Sequence, residues 1–187
     1  MKQDTRSLII DTASILFYEK GYNLTGINEI IEKAGIAKAT LYSHFKSKED
    51  LCIAYLIHRD KEFMENIRAF CNAKRKGNAR LIGVLEFLIT FFETAGFNGC
   101  WCIRTVAEVP RDNLRIKAQI KENKVTFLNF LKLLVEENKE GYTKKQIDKL
   151  AKRIYLLYES AVSESHLQGD SWPIHECIDF LKNYLKK

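Results

Sequence analysis

Five basic side chains, Lys33, Lys38, His44, Lys46 and Lys48, fall in one segment with no acidic residue between Lys33 and Lys48. Thr40, Tyr42 and Ser43 interleave hydroxyls among them. Cations mixed with short donors and acceptors suit phosphate oxygens and base edges, because charge acts strongly within a Debye length of roughly 8–10 Å. Catalytic patterns are missing: there is no P-loop, G-x-G-x-x-G, G-x-S-x-G or H-E-x-x-H. Glu159, Glu164 and His166 share a late helix and read as solvated or pairing side chains, so no enzyme is expected. Cys100-Trp101-Cys102 has no second cysteine pair nearby, and histidine is absent between His58 and His166. No metal site or cofactor is expected.

The elements that must position these groups are helical. Thr25 to Leu51 reads as two short helices about a glycine turn, with another helix starting behind Ser47. This is a helix-turn-helix, whose second helix enters the DNA major groove. Ahead of it, Leu8, Ile9, Thr12, Ala13, Leu16 and Phe17 give a stripe of 3–4 spacing over 4–20, and Gly21 supplies a left-handed stop. Thr25 is the expected N-cap of the second helix. Ile27, Ile30 and Ile31 face inward, and Ala34-Gly35 permits the tight turn. The third helix runs from about Ala37 to His44, with Leu41 and Phe45 inward and Lys38, Ala39, Thr40, Tyr42, Ser43 and His44 outward. Ser47 to Asp50 forms a capping box for a fourth helix reaching Phe70.

The chain has 187 residues, which fits a small domain followed by a larger one. Hydrophobic content of 46% excludes wholesale disorder, and two prolines leave long stretches free for helices. Through Asp60 eight Lys/Arg balance eight Asp/Glu, so the net charge of +6 lies in the body. Global basicity therefore does not argue for DNA binding; the local run does. The opening residues show no leader, and the most apolar run, Leu81 to Phe92, carries Glu86 and is too short for a bilayer. Five irregularly spaced cysteines do not make a disulfide framework. A soluble, cytoplasmic protein without membrane partners is expected.

Lys74-Arg75-Lys76-Gly77 marks a boundary and reads as a solvated helix end or as a second DNA contact. Beyond it five helices are expected, at about 79–95, 100–108, 112–138, 143–167 and 171–184. The fold class is all-α. A three-helix helix-turn-helix domain, 1–48, precedes a ligand-binding and dimerisation bundle, 49–187, with about nine helices in all.

The N-terminal residues resemble the DNA-binding domain of the TetR/AcrR family. The matching pieces are Ala13-x-x-Leu16-Phe17, Glu19-Lys20-Gly21-Tyr22, Thr25, Ile30, Lys33-Ala34-Gly35-Ile36, Lys38-x-Thr40-Leu41-Tyr42-x-His44-Phe45 and Lys48-Glu49-x-Leu51. Gly99-Cys100 with Glu108 is similar to a signature of many members. The resemblance implies a homodimer that binds double-stranded DNA and responds to a small-molecule effector. It places phosphate contacts at Thr25, Tyr42, His44 and Lys48, and base-facing positions at Ala37, Lys38, Ala39, Thr40 and Ser43. Members often carry Ser at position 37 and Gly at 39; alanine at both leaves Lys38 as the one long donor facing the bases.

The resemblance also implies a pocket among the middle helices, expected at Phe87, Phe91, Trp101, Arg104, Glu108 and Phe127. Arg104 and Glu108, four apart, either pair or anchor a ligand's polar group. The last two helices carry apolar stripes, and Ile154, Tyr158, Ala161, Ser165, Ile178 and Leu181 are expected at a four-helix dimer interface. The bland reading is that both stripes close the monomer's own core. The functional expectation is a dimeric regulator, a repressor released from a palindromic operator by its effector. A thiol-based electrophile or redox sensor using Cys100/Cys102, and an interaction protein that no longer reads DNA, are the competing readings.

Overall fold

A computed structural model describes residues 4–94 and 96–186. Among these residues there are nine helices and no strand. They are α1 (Thr5–Lys20), α2 (Ile27–Ala34), α3 (Lys38–His44), α4 (Lys48–Ala73), α5 (Asn78–Phe92), α6 (Trp101–Glu108), α7 (Leu114–Asn138), α8 (Lys144–Gln168) and α9 (Trp172–Leu185). Helix number and order follow the hydrophobic periodicity. The end expected for the fifth helix, Ala95, lies outside the described residues, as do Met1–Gln3 of the run read for a leader.

The chain forms two compact units: residues up to Glu62 with Trp101–Asn123, and Phe63–Cys100 with the chain from Lys124 onward. The division expected after residue 48 is one of role, between a reader and a body; the compact units divide the chain differently.

In the first unit α1 packs on α2 and α2 on α3. Ile9, Leu16, Phe17, Ile30, Leu41, Phe45, Leu51 and Tyr55 are buried there. Ile27 and Ile31 are half-buried, so Ile30 is the deep residue of the α2 trio. α6 and the start of α7 belong to this unit through polar ties that periodicity does not show. Glu108 Oε2 accepts the Asn23 backbone N–H at 2.8 Å, and Asn23 Nδ2 donates to the Glu108 carbonyl at 2.9 Å. Asn113 Nδ2 donates to Glu49 at 2.9 Å, and the Arg115 guanidinium spans Glu49 and Asp50. That guanidinium, with the Ser47 hydroxyl, holds the Asp50 carboxyl below its ordinary pKa.

Two helix ends differ from expectation. Gly26, not Thr25, is the N-cap of α2, because the Thr25 hydroxyl is turned inward. Gly21 closes α1 at φ 92°, ψ 167°, an extended positive-φ conformation rather than the left-handed helical one. That region is essentially open to glycine alone. A Cβ at Gly21 would also collide with the Glu108 carboxylate. Gly35, in the left-handed region at φ 63°, has nothing within 4 Å of a Cβ. Gly21→Ala is therefore expected to cost about 2–3 kcal/mol, against about 1 kcal/mol for Gly35→Ala. Urea unfolding of both variants checks this; equal losses would mean that neither the Gly21 backbone region nor the Glu108 contact adds a cost.

In the second unit α5, α8 and α9 pack on one another. Leu81, Val84, Leu85, Leu88, Ile154, Ala161, Ile174, Ile178 and Leu181 fill the contact. Phe127 sits edge-on to Phe63 and Tyr158, with ring centroids 5.2 and 4.9 Å away. Thr143 and Gln146 form a full capping box that starts α8.

Candidate nucleic-acid interface

α3 is a short helix anchored by its apolar side. Leu41 is fully buried, Phe45 is 3% exposed, and the Arg6 guanidinium lies over the Phe45 ring at 5.2 Å. Gly35 turns the chain between α2 and α3, and the Ile36 N–H closes back on the Ile31 carbonyl at 3.2 Å. With Leu41 and Phe45 fixed inward, the helical period directs Lys38, Ala39, Tyr42, Ser43 and His44 outward, and all five are exposed. Ala37, the N-cap residue, is exposed beside them, and Thr40 is half-buried. The Ser43 hydroxyl donates to the Thr40 carbonyl at 2.7 Å, so its oxygen lone pairs remain as acceptors toward a partner.

Lys48 opens α4 on the same unit. Its ammonium lies 4.4 Å over the Tyr22 ring, and partial burial pulls its pKa below the ordinary lysine value, with the Glu108 carboxylate opposing. Tyr22 thereby holds the Lys48 side chain in one direction. Ser47 receives the Asp50 N–H at 3.0 Å and donates to its carboxylate, which fixes the turn between α3 and α4.

Thr25 departs from its expected role. Its side chain is fully buried, and the hydroxyl donates to the carbonyls of Gly21 at 2.7 Å and Leu16 at 3.1 Å. A hydroxyl committed in this way joins α1 to the α2 entry and is not presented to a phosphate. The remaining eight expected DNA contacts, Ala37, Lys38, Ala39, Thr40, Tyr42, Ser43, His44 and Lys48, lie on α3 or at its flanks.

The six residues expected to share a pocket divide between the units. Phe87, Phe91 and Phe127 belong to the second, and Trp101, Arg104 and Glu108 to the first. Glu108 is turned to Asn23, a structural tie rather than a ligand anchor. Phe127 and Trp101 are buried.

The expected interface stripe is likewise internal. Ile154, Ala161 and Ser165 are fully buried, and Tyr158, Ile178 and Leu181 are 6%, 4% and 1% exposed within the single chain. The bland reading describes them: they close the monomer's own α5–α8–α9 core. The outward faces of α8 and α9 instead carry Leu156, Leu167, Trp172 and Phe180, each more than half exposed. Arg153, Leu156, Leu157, Phe180 and Tyr184 line a groove of about 350 Å³ there.

A small helical unit presenting the second helix of a helix-turn-helix defines a DNA-binding protein. Residues 9–55 match the family described as bacterial regulatory proteins, tetR family. The fatty acid metabolism regulator protein of Bacillus subtilis is 30% identical over 141 residues, 75% of this chain and 71% of that protein. The transcriptional activator FasR of Mycolicibacterium smegmatis is 29% identical over 92 residues, 49% of this chain and 42% of that one. The crystal structure of a TetR-family regulator from Streptomyces coelicolor superposes with a TM-score of 0.86 at 22% identity, covering 97% of this chain and 94% of its own. The chain belongs to the TetR family and is a DNA-binding transcriptional regulator. No helix among the described residues is long and apolar enough to cross a membrane.

Proposed function

We propose that the protein is a homodimeric repressor that reads an inverted-repeat operator through α3 and is released by a small-molecule effector. The observation that carries the reading is the α3 surface: Leu41 and Phe45 lock one side, and the whole opposite side is exposed polar, basic or small. Tyr42, His44 and Lys48 take phosphates and set the register; Lys38 reads guanine O6/N7; Ala37, Ala39, Thr40 and Ser43 make short-range base contacts. Direct readout with one long donor is thin, so DNA shape supplies part of the specificity.

The dimer is assigned to the exposed α8/α9 face around Leu156 and Phe180, not to the buried stripe. Two copies joined about a two-fold axis place their recognition helices about one helical turn apart. The effector acts by linkage, binding better to a state whose two recognition helices do not fit the operator. The name of the Bacillus subtilis relative and the Phe-rich second unit support an effector with an acyl or aromatic apolar part. No enzymatic step is assigned to the chain.

Fluorescence anisotropy on an operator duplex, titrated from about 50 to 200 mM salt, tests the reading. A steep loss of affinity with salt is expected. Lys38→Ala is expected to weaken the cognate duplex by about 10–100-fold, with little effect on duplexes lacking the guanine. Equal weakening on all duplexes would make Lys38 a phosphate contact and remove its reading role.

A further inference from the structure

We propose that the cleft between the end of α5 and the end of α8 is a binding site for a small, neutral, single-ring phenol. Its lining residues all belong to the second compact unit. Phe92, Thr94, Phe97, Ser165, His166 and Gly169 surround a space of about 250 Å³. Phe92 closes α5, Phe97 follows in the segment ahead of α6, and Ser165 and His166 stand in the last turns of α8. The cleft shares no residue with the buried cluster of Phe63, Phe127 and Tyr158.

Two observations point to a ligand. The first is an orphan hydroxyl. Ser165 is fully buried, and its Oγ has no hydrogen-bond partner among the described residues. Other helical hydroxyls of the chain donate about one turn back: Thr12 to the Leu8 carbonyl, Thr90 to Phe87 and Thr94 to Thr90. A buried hydroxyl left without such a bond is disfavoured, so its presence in the lining calls for a partner. The second is the seating of His166. Its ring packs on Gly99, where a Cβ would come within 3.1 Å of the imidazole. The same ring stands edge-on to Phe97 with centroids 6.2 Å apart, and Phe97 is edge-on to Phe92 at 5.1 Å. The glycine of the Gly99-Cys100 pair thus makes room for an imidazole held in the cleft wall.

The ligand's class follows from size, rings and charge. An apolar cavity of about 150 Å³ holds benzene, so this cleft takes one ring with small substituents. Phe92, Phe97 and His166 offer ring faces and edges, which another aromatic ring complements. Among the described residues the lining holds no lysine, arginine, aspartate or glutamate, so a charged ligand would be desolvated without a counter-charge. A hydroxyl on the ring both donates and accepts, and Ser165 Oγ and an imidazole nitrogen of His166 are its partners. A phenol meets all three conditions and is neutral at pH 7, because its pKa resembles that of tyrosine, about 10.

Phenol itself is the probe, and nuclear magnetic resonance on the free full-length protein is the readout, so the outcome does not depend on the operator or the effector. Phenol is expected to shift the amide signals of Phe97, Ser165 and His166 saturably, with a Kd on the order of 1 mM. Benzene is expected to bind about tenfold more weakly for want of the hydroxyl, and benzoate at least as weakly for want of a cation. Ser165→Ala removes an orphan group, so the variant is expected to fold and to melt no lower than the parent. Phenol then binds it about tenfold more weakly, at the level of benzene, while benzene binding is unchanged. The contrast between phenol and benzene on the parent protein needs no variant. Absence of a saturable shift at these residues well above that Kd, equal affinity for phenol and benzene, or equal phenol affinity in Ser165→Ala overturns the proposal.

Discussion

The double variant Tyr42→Ala/His44→Ala will bind the operator about 100-fold more weakly, because two phosphate-directed hydrogen bonds of about 1.4 kcal/mol each are lost. Its melting temperature will stay close to that of the parent. Tyr42 is 44% exposed and His44 is exposed, so neither contributes much to the core. The loss will be uniform across sequences, since phosphate contacts carry register and not base identity. The salt slope will hardly change, because neither substitution removes a lysine or arginine charge. Lys48→Ala behaves differently: it lowers the slope by about one, the signature of one released counterion. Anisotropy titrations at several salt concentrations separate the two cases. A large fall in thermal stability of the double variant would instead make Tyr42 a packing residue and remove it from the interface.

Charge placed on the outer α8/α9 face will have the largest effect of all. Leu156→Glu with Phe180→Glu is expected to leave the fold intact and to convert the protein to monomers. DNA affinity then falls by about 1,000-fold, since the second half-site no longer binds at high effective concentration. Leu156 and Phe180 are 64% and 60% exposed, so the substitutions remove little from the monomer's core. Ile154→Ala is the contrasting variant. Ile154 is fully buried, and its truncation is expected to cost about 2–5 kcal/mol of folding stability. Sedimentation and chemical unfolding of both variants distinguish interface from core. A dimer that survives glutamate at both exposed positions would move the interface elsewhere on the molecule.

These two variants mark where the sequence was legible and where it was not. The α3 face could be read because it is local: Leu41 and Phe45 set the inward direction, and the helical period assigns the rest. Helix boundaries were equally local, fixed by Gly21, Gly35, Ser47 and Thr143. α8 was harder because it has two apolar sides. The stripe Leu150, Ile154, Tyr158, Ala161 and Ser165 is the more continuous, and continuity marks the most buried side, which here is the chain's own core. The outward side, with Leu156 and Leu157 beside Arg153, is broken by charge and looks like ordinary surface. Thr25 misled in the opposite sense: a hydroxyl ahead of a helix suggests a cap, yet this one is spent on Gly21 and Leu16. Long-range polar ties were illegible. Asn23 and Glu108 are 85 positions apart, and Lys124 and Glu159 are 35 apart, so no spacing rule links either pair.

Selection of the purified protein on a random duplex library tests whether α3 reads DNA as part of a two-fold dimer. Enrichment of an inverted repeat is expected, with half-sites about one helical turn apart and a guanine in each half, the guanine preference disappearing in Lys38→Ala. Failure of a folded protein to enrich any sequence, or enrichment of a single asymmetric site bound by one copy, would contradict it.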